Sequence, residues 1–250
     1  MIRGIGEVLI TLGLVVGLFV FYEVYVTDWF SAQKQQDATN QLDQAWQNHR
    51  GLADRPLDGT GIAKIYIPSF GPDFVFTVLQ GTGSDVLAAG PGHYPDTAMP
   101  GQPGNLGIAG HRVGQGSPFN SLDLLGSCDS IVIETVDHWY VYRVLPLSGE
   151  APSWAATKAS QPQCKGVGPM AAPYQDVMGK EIVLPSQREV IAPVPGKPDL
   201  ALPPDQEARL ITLTTCHPQF SARQRLIVHG ILVAQYPKVP GQRPAELNAF

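Results

Sequence analysis

Cys216 closes the β-rich run RLITLTTC (209–216), and Arg225 opens the next such run, RLIVHGILVAQ (225–235). A hairpin turning over 217–224 sets the sulfur beside the guanidinium. A fixed positive charge favours the thiolate, which is the nucleophilic form of cysteine. The same cation can stabilise the oxyanion that forms when a thiolate attacks a carbonyl. An unassisted thiol is only about 3% ionised at neutral pH, so a proton-transfer partner is needed. His111, at the end of the strand-like run NLGIAGHR, is the candidate for it.

Each assignment competes with a blander one. A lone cysteine on an apolar strand is more often a small core residue than a nucleophile. Strand alternation puts Thr212, Thr214 and Cys216 on one face and Ile211, Leu213 and Thr215 on the other. The cysteine face is therefore polar, as a strand bordering a groove requires. His93, in the turn-rich stretch GPGHYPDTAMPGQPGN (90–105), competes with His111 for proton transfer. His217 adjoins the cysteine in sequence, but strand neighbours point to opposite faces. His229 lies inside the last strand and reads as structural. Arg223 also follows the turn and reads as a solvated loop residue. No metal-ligand spacing and no phosphate-binding glycine loop is present, so no cofactor or metal is expected.

The elements that position these groups are mainly short strands. IAKIYIP (62–68), FVFTVLQG (74–81), SIVIET (130–135), WYVYRVLP (139–146), EIVLP (181–185) and EVIAPV (189–194) join the three runs above. They alternate or run apolar between Gly and Pro signals. Gly 26 and Pro 23 are too many for a helical protein and too few for a disordered one. The census predicts a mainly β protein built on a closed or nearly closed barrel with few helices, in which 130–135 and 139–146 form a hairpin. The stretch 147–178 is long for a connection, as functional or variable loops are.

The domain reading is a cytoplasmic N-terminus (1–4), a transmembrane anchor (5–26), a stalk helix (27–58), the barrel (59–236) and a disordered tail (237–250). IGEVLITLGLVVGLFVFYEVYV is apolar on every face and, at ~1.5 Å per residue, long enough to cross a ~30 Å hydrocarbon layer. It lacks the small-residue cleavage site of a signal peptide. Arg3 points to an N-terminus inside and a catalytic part outside the cell. In the stalk, Ala38, Leu42, Ala45 and Trp46 recur at helical spacing. Net charge is −5 with no Lys/Arg run, so nucleic acid has no electrostatic footprint here. An extracytoplasmic location permits a disulfide. If Cys216 stays free, the leftover pair is Cys128 and Cys164, either bridged or as two unpaired thiols.

Taken together, TLTTC, the arginine of RQRLIVHG and AGHR resemble the sortases, cysteine transpeptidases of Gram-positive cell envelopes. GPGHYPDTAMPGQPGN, EIVLPSQREVIAPVP and the apolar opening are similar to the class E group of actinobacteria. The resemblance spans the chain except 147–178 and the tail. It implies an eight-stranded sortase barrel, with Cys216 as nucleophile, His111 as general acid/base and Arg225 holding substrate and oxyanion. Thr215 is implied to line the substrate site. The partners implied are surface proteins with a C-terminal LPXTG-type signal and lipid II or a related peptidoglycan precursor. Class E members carry a tyrosine, expected after AGHR, that is associated with alanine at the signal's second position. The loop VGQGSPF lacks it, which leaves LPXTG and LAXTG both open.

Two other readings stand beside this one. An L,D-transpeptidase expects a serine-x-glycine-cysteine arrangement that Thr214-Thr215-Cys216 does not supply. A non-catalytic anchored β-barrel that binds wall or protein ligands would leave Cys216 as a structural thiol.

Overall fold

The computed structural model describes residues 2–22, 27–48 and 56–248. Nine strands follow two helices, α1 (Ile2–Phe21) and α2 (Thr27–Gln47). They are β1 (Gly61–Tyr66), β2 (Val75–Gln80), β3 (Gly92–His93), β4 (Gly104–Ala109), β5 (Ser130–Glu134), β6 (His138–Val144), β7 (Lys180–Val183), β8 (Arg209–His217) and β9 (Gln224–Pro237). The order β6-β5-β1-β2-β3-β4-β8-β9, closed by pairing of β6 with β9, is an eight-stranded barrel. Closure removes the unpaired edges that an open sheet of these β-branched strands would expose. The ninth strand, β7, lies outside the ring on β9.

β9 makes this arrangement possible because one of its edges serves two partners. Arg225 to Val228 pair with β7, and from Gly230 onward the same edge pairs with β6. The changeover needs a glycine: a Cβ at Gly230 would sit 3.0 Å from Arg143 O and from Ile211 Cγ2. Inside the ring, Ile62, Ile65, Ile108, Ile133, Tyr142 and Leu213 are buried in one core. The Tyr142 hydroxyl finds its partner in the Gly101 N–H at 2.9 Å.

α2 docks on the outside of β1 and β2 through a polar seam. The Gln35 amide donates to Thr77 O and Ala89 O and accepts from Thr77 N, and Asp43 pairs with Lys64 at 2.6 Å. Asp28, in its first turn, accepts from Gly116 N at 2.9 Å. The N-terminal end of α2 therefore meets the turn that follows His111.

Several expectations need correction. Residues 189–191 of the expected strand 189–194 fall in a 3-10 turn, Arg188–Ile191. Pro193 and Pro195 follow and supply no ladder N–H, while Asn105 Nδ2 takes the carbonyls of Val190 and Ala192. The two-residue β3, hidden in the Gly/Pro-rich stretch, completes the ring instead. Of the tail read as disordered, 237–250, Pro237 ends β9, while Lys238 and Glu246 make ion pairs with Glu134 and Arg143 of the barrel; residues 249–250 lie outside the described ones. The expected anchor is not established: among the described residues, no helix is long and apolar enough to cross a membrane. Residues 23–26 of that segment lie outside the described ones.

The 147–178 stretch is pinned by a disulfide between Cys128 and Cys164, Cα–Cα 4.9 Å. Trp154 is buried there, donates Nε1–H to Val167 O at 3.2 Å, and packs with the sulfurs against Ile231 and Val233. That is the β6-paired half of β9.

Candidate active site

Cys216 and Arg225 are direct cross-strand partners in the antiparallel β8–β9 pair. Residues so paired share a face, with Cβ atoms about 5 Å apart. Cys216 is a free, half-buried thiol. Arg225 donates Nη1–H to Ala222 O (3.1 Å) and Gln224 O (3.0 Å), so its own turn fixes the guanidinium. Arg223 is exposed.

The backbone at His111 is tied to the same strand by a different route. β4 runs parallel to β8 with Ala109 opposite Thr214. One residue on, Gly110 N donates to Thr214 O at 3.0 Å and Gly110 O accepts Thr215 Oγ1–H at 2.8 Å. This keeps His111 level with Cys216 on the neighbouring strand. The His111 carbonyl is held by Phe119 N at 3.0 Å. Phe119 is fully buried and presses on Gly110, where a Cβ would come within 2.5 Å of its ring. Burial lowers the His111 pKa from its ordinary value, so the imidazole is neutral at pH 7.

The face shared by Cys216 and Arg225 opens on a cleft of about 480 Å³ lined by Thr214, Arg225, Ile227, Tyr94, Leu184 and Val190, among others. That volume suits a short extended peptide or a drug-sized molecule. One wall is apolar (Val183, Val190, Ile227) and the opposite side is polar, where the Tyr94 hydroxyl meets Thr214 Oγ1 at 2.9 Å. Neither Cys216 nor His111 lines it; Cys216 is the next residue after Thr214 along this face of β8, opposite the lining residue Arg225. A cavity of about 550 Å³ beneath α2 contains none of these groups.

The other sequence candidates sit elsewhere. Thr215 does not line the cleft: it is 3% exposed, on the opposite face of β8, bonded to the His111 turn. His93 is 1% exposed with its ring nitrogens facing Gln80, Ala98 and Thr97, which leaves it structural. His229 is fully buried between Thr212 and Glu181. Cys128 and Cys164 are far along the barrel from Cys216, and no residue of 147–178 lines the cleft.

Sequence reasoning missed three residues. The tyrosine sought after AGHR is absent there, and Tyr94, from the stretch before AGHR, stands in the cleft instead. Thr214 rather than Thr215 faces it, as the alternation already implied. Arg112, buried beside His217, carried no local signal because its partners are distant in sequence.

A sortase domain model matches residues 65–233. The chain is 32% identical to sortase SrtE1 of Streptomyces coelicolor over 97% of its own length, and spans 60% of that protein. Among solved structures, SrtF sortase from Corynebacterium diphtheriae is 38% identical with a TM-score of 0.70, covering 80% of this chain and 97% of that one. Sortase E1 from Streptomyces coelicolor, crystallised with a tripeptide in its active site, is 30% identical with a TM-score of 0.54, over 75% and 96%. The chain belongs to the sortase family.

Proposed function

We propose that this chain is a cysteine transpeptidase that cleaves a C-terminal LPXTG- or LAXTG-type sorting signal between Thr and Gly and joins the protein to an amine of a peptidoglycan precursor. The observation that carries the reading is the Cys216–Arg225 cross-strand pair, whose arginine lines a peptide-sized cleft, with the His111 turn bonded to the same strand. A relative of this family holds a tripeptide in its active site.

In the first step the Cys216 thiol gives its proton to neutral His111, and the sulfur attacks the Thr carbonyl. Arg225 has N–H groups beyond those held by its turn, and these stabilise the developing oxyanion. The C–N bond to glycine then breaks, His111 returns the proton to the leaving amine, and a thioacyl-enzyme remains. In the second step a precursor amine attacks that carbonyl, forms the new amide and releases the thiolate, while His111 takes the amine proton and passes it back to sulfur.

Residues 5–26 serve in this reading as a membrane anchor with the barrel outside the cell. The support is chemical: Leu9, Leu12 and Phe19 of α1 are about 60% exposed, with no packing partner to bury them. The first turn of α2 is tied to Gly116, in the turn that follows His111.

The test is turnover of a fluorogenic sorting-signal peptide together with mass spectrometry of the acyl-enzyme. Cys216→Ala is expected to abolish turnover with the fold intact, and Arg225→Ala to lower kcat/KM by roughly 10²- to 10³-fold, the loss of one oxyanion donor. Competing LPXTG and LAXTG peptides read the preference directly. Turnover by Cys216→Ala at the wild-type rate would leave the anchored binding barrel as the better reading.

A further inference from the structure

We propose that Arg112 is a positioning residue that sets the spacing between His111 and Cys216, by bridging the residue that follows each of them. The inference rests on the reading of those two residues as the catalytic pair. Arg112 follows His111, and its side chain is 5% exposed. Nη1–H donates to His217 Nδ1 at 2.8 Å, and His217 follows Cys216. Nη2 pairs with Asp123 Oδ1 at 3.0 Å, and the Arg112 carbonyl accepts from Asn120 Nδ2 at 2.9 Å. The guanidinium thus locks the 111–125 segment to the end of β8 at a point where β4 has already ended and backbone pairing has stopped.

The chemistry of the donor makes this bridge directional. A guanidinium cannot lose its proton in water and only donates, so His217 Nδ1 must be the acceptor. Being planar, it reaches the imidazole and the carboxylate at once, which a lysine ammonium at the end of a flexible stem does not reproduce. Burial of such a charge is tolerated only where it is paired and hydrogen-bonded. Two partners take its Nη1 and Nη2 groups, while Nε is buried without a protein partner. A purely stabilising role would be served more cheaply by an apolar side chain in that space.

Arg112 does not touch substrate. Alternation puts His217 on the face of β8 opposite Cys216 and the cleft, and Arg112 packs against that His217 face. Its loss should therefore change the height of the chemical barrier and leave peptide binding alone. A displacement of about 1 Å at a reacting group can cost on the order of 100-fold in rate.

The experiment is steady-state kinetics of the full chain with the sorting-signal peptide, for Arg112→Met, Arg112→Lys, His217→Leu, His217→Gln and the double variant Arg112→Met/His217→Leu, with thermal melts alongside. Arg112→Met is expected to lower kcat roughly 10- to 100-fold with KM within about twofold. His217→Leu should do the same, and the double variant should be no worse than either single one, because both remove the same bond. His217→Gln keeps an acceptor and should retain most of kcat. Arg112→Lys should fall between wild type and Arg112→Met. If Arg112→Met does not fold, the His217→Leu and His217→Gln pair carries the test with Arg112 in place. The inference is overturned by a rise in KM at unchanged kcat, by losses that multiply in the double variant, or by equal kcat for His217→Leu and wild type. Turnover that survives both Cys216→Ala and His111→Ala would instead refute the catalytic reading, whatever Arg112 does.

Discussion

Removing the Cys128–Cys164 bridge separates two roles for the 147–178 stretch: a structural pad on the barrel, or a part of the catalytic cleft. The perturbation is the double substitution Cys128→Ala/Cys164→Ala, which leaves no polar group in a site where both sulfurs are at most 2% exposed. A sequence separation of 36 gives a chain-entropy loss equivalent to about 4 kcal/mol at 25 °C. Loss of the sulfur contacts to Trp154 and Val167 adds to that figure, and residual structure in the unfolded chain subtracts from it. For a domain of this size, about 4 kcal/mol corresponds to a fall in Tm of roughly 8–16 °C. The assay is a thermal melt paired with peptide turnover at 20 °C, well below either midpoint. Tm should drop by that amount, with kcat/KM within about twofold, since the pad packs on Ile231 and Val233 and contributes nothing to the cleft. A tenfold loss of turnover at 20 °C in a folded variant would refute the separation of pad and cleft.

Gly110→Ala should be costly in both stability and rate: its Cβ would lie 2.5 Å from the ring of the fully buried Phe119, and overpacking of this kind costs about 1–3 kcal/mol. Adding Phe119→Leu should restore part of both, as measured by melts and turnover, and no recovery would mean that the backbone rather than the ring is at fault. Stability should also decline on acidification. Burial lowers the pKa values of His93 and His111 below the ordinary 6.5, so below about pH 6.5 the unfolded chain binds more protons than the folded one. Stability is therefore full above that value and falls as pH drops toward the depressed folded pKa values. Melts from pH 7.5 to 5 should show a shallower decline in His93→Gln than in wild type, and equal slopes would contradict the assignment.

What the sequence made legible is what depends on local period. The β8–β9 hairpin follows from two period-2 runs separated by one turn, and that alone puts residue 225 opposite 216. The β5–β6 hairpin follows in the same way. Pairings that join distant segments were opaque. β3 is only two residues long and lies among glycines and prolines, yet it links β2 to β4 in the ring. The 189–194 run has strand composition, but its prolines and the reach of Asn105 favour a 3-10 turn. Tyr94 and Arg112 gained their places from Thr214 and His217, more than a hundred positions away. No window along the chain contains either pair.

The cleft wall shows why such distant polar contacts matter for chemistry on the outside of a barrel. The ring's interior is apolar and can pack in only a few ways, but β7 and the Arg188–Ile191 turn lie outside it and need another source of register. A line of polar side chains provides one. Asn105 Nδ2 faces the carbonyls of Val190 and Ala192, so its Oδ1 must accept from the Thr212 hydroxyl at 2.7 Å. Thr212, its one proton used, must accept from His229 Nδ1–H at 2.8 Å, and this turns Nε2 toward Glu181 on β7 at 3.1 Å. The directions are fixed from Asn105 through Thr212 to His229 Nδ1, which holds the wall at one height. Apolar contacts alone, between Val183, Val190 and Ile227, would tolerate sliding by a fraction of a residue. In the proposed reaction, a peptide held between that wall and Tyr94 would have to bring one carbonyl to Cys216, and a sliding wall would not select which.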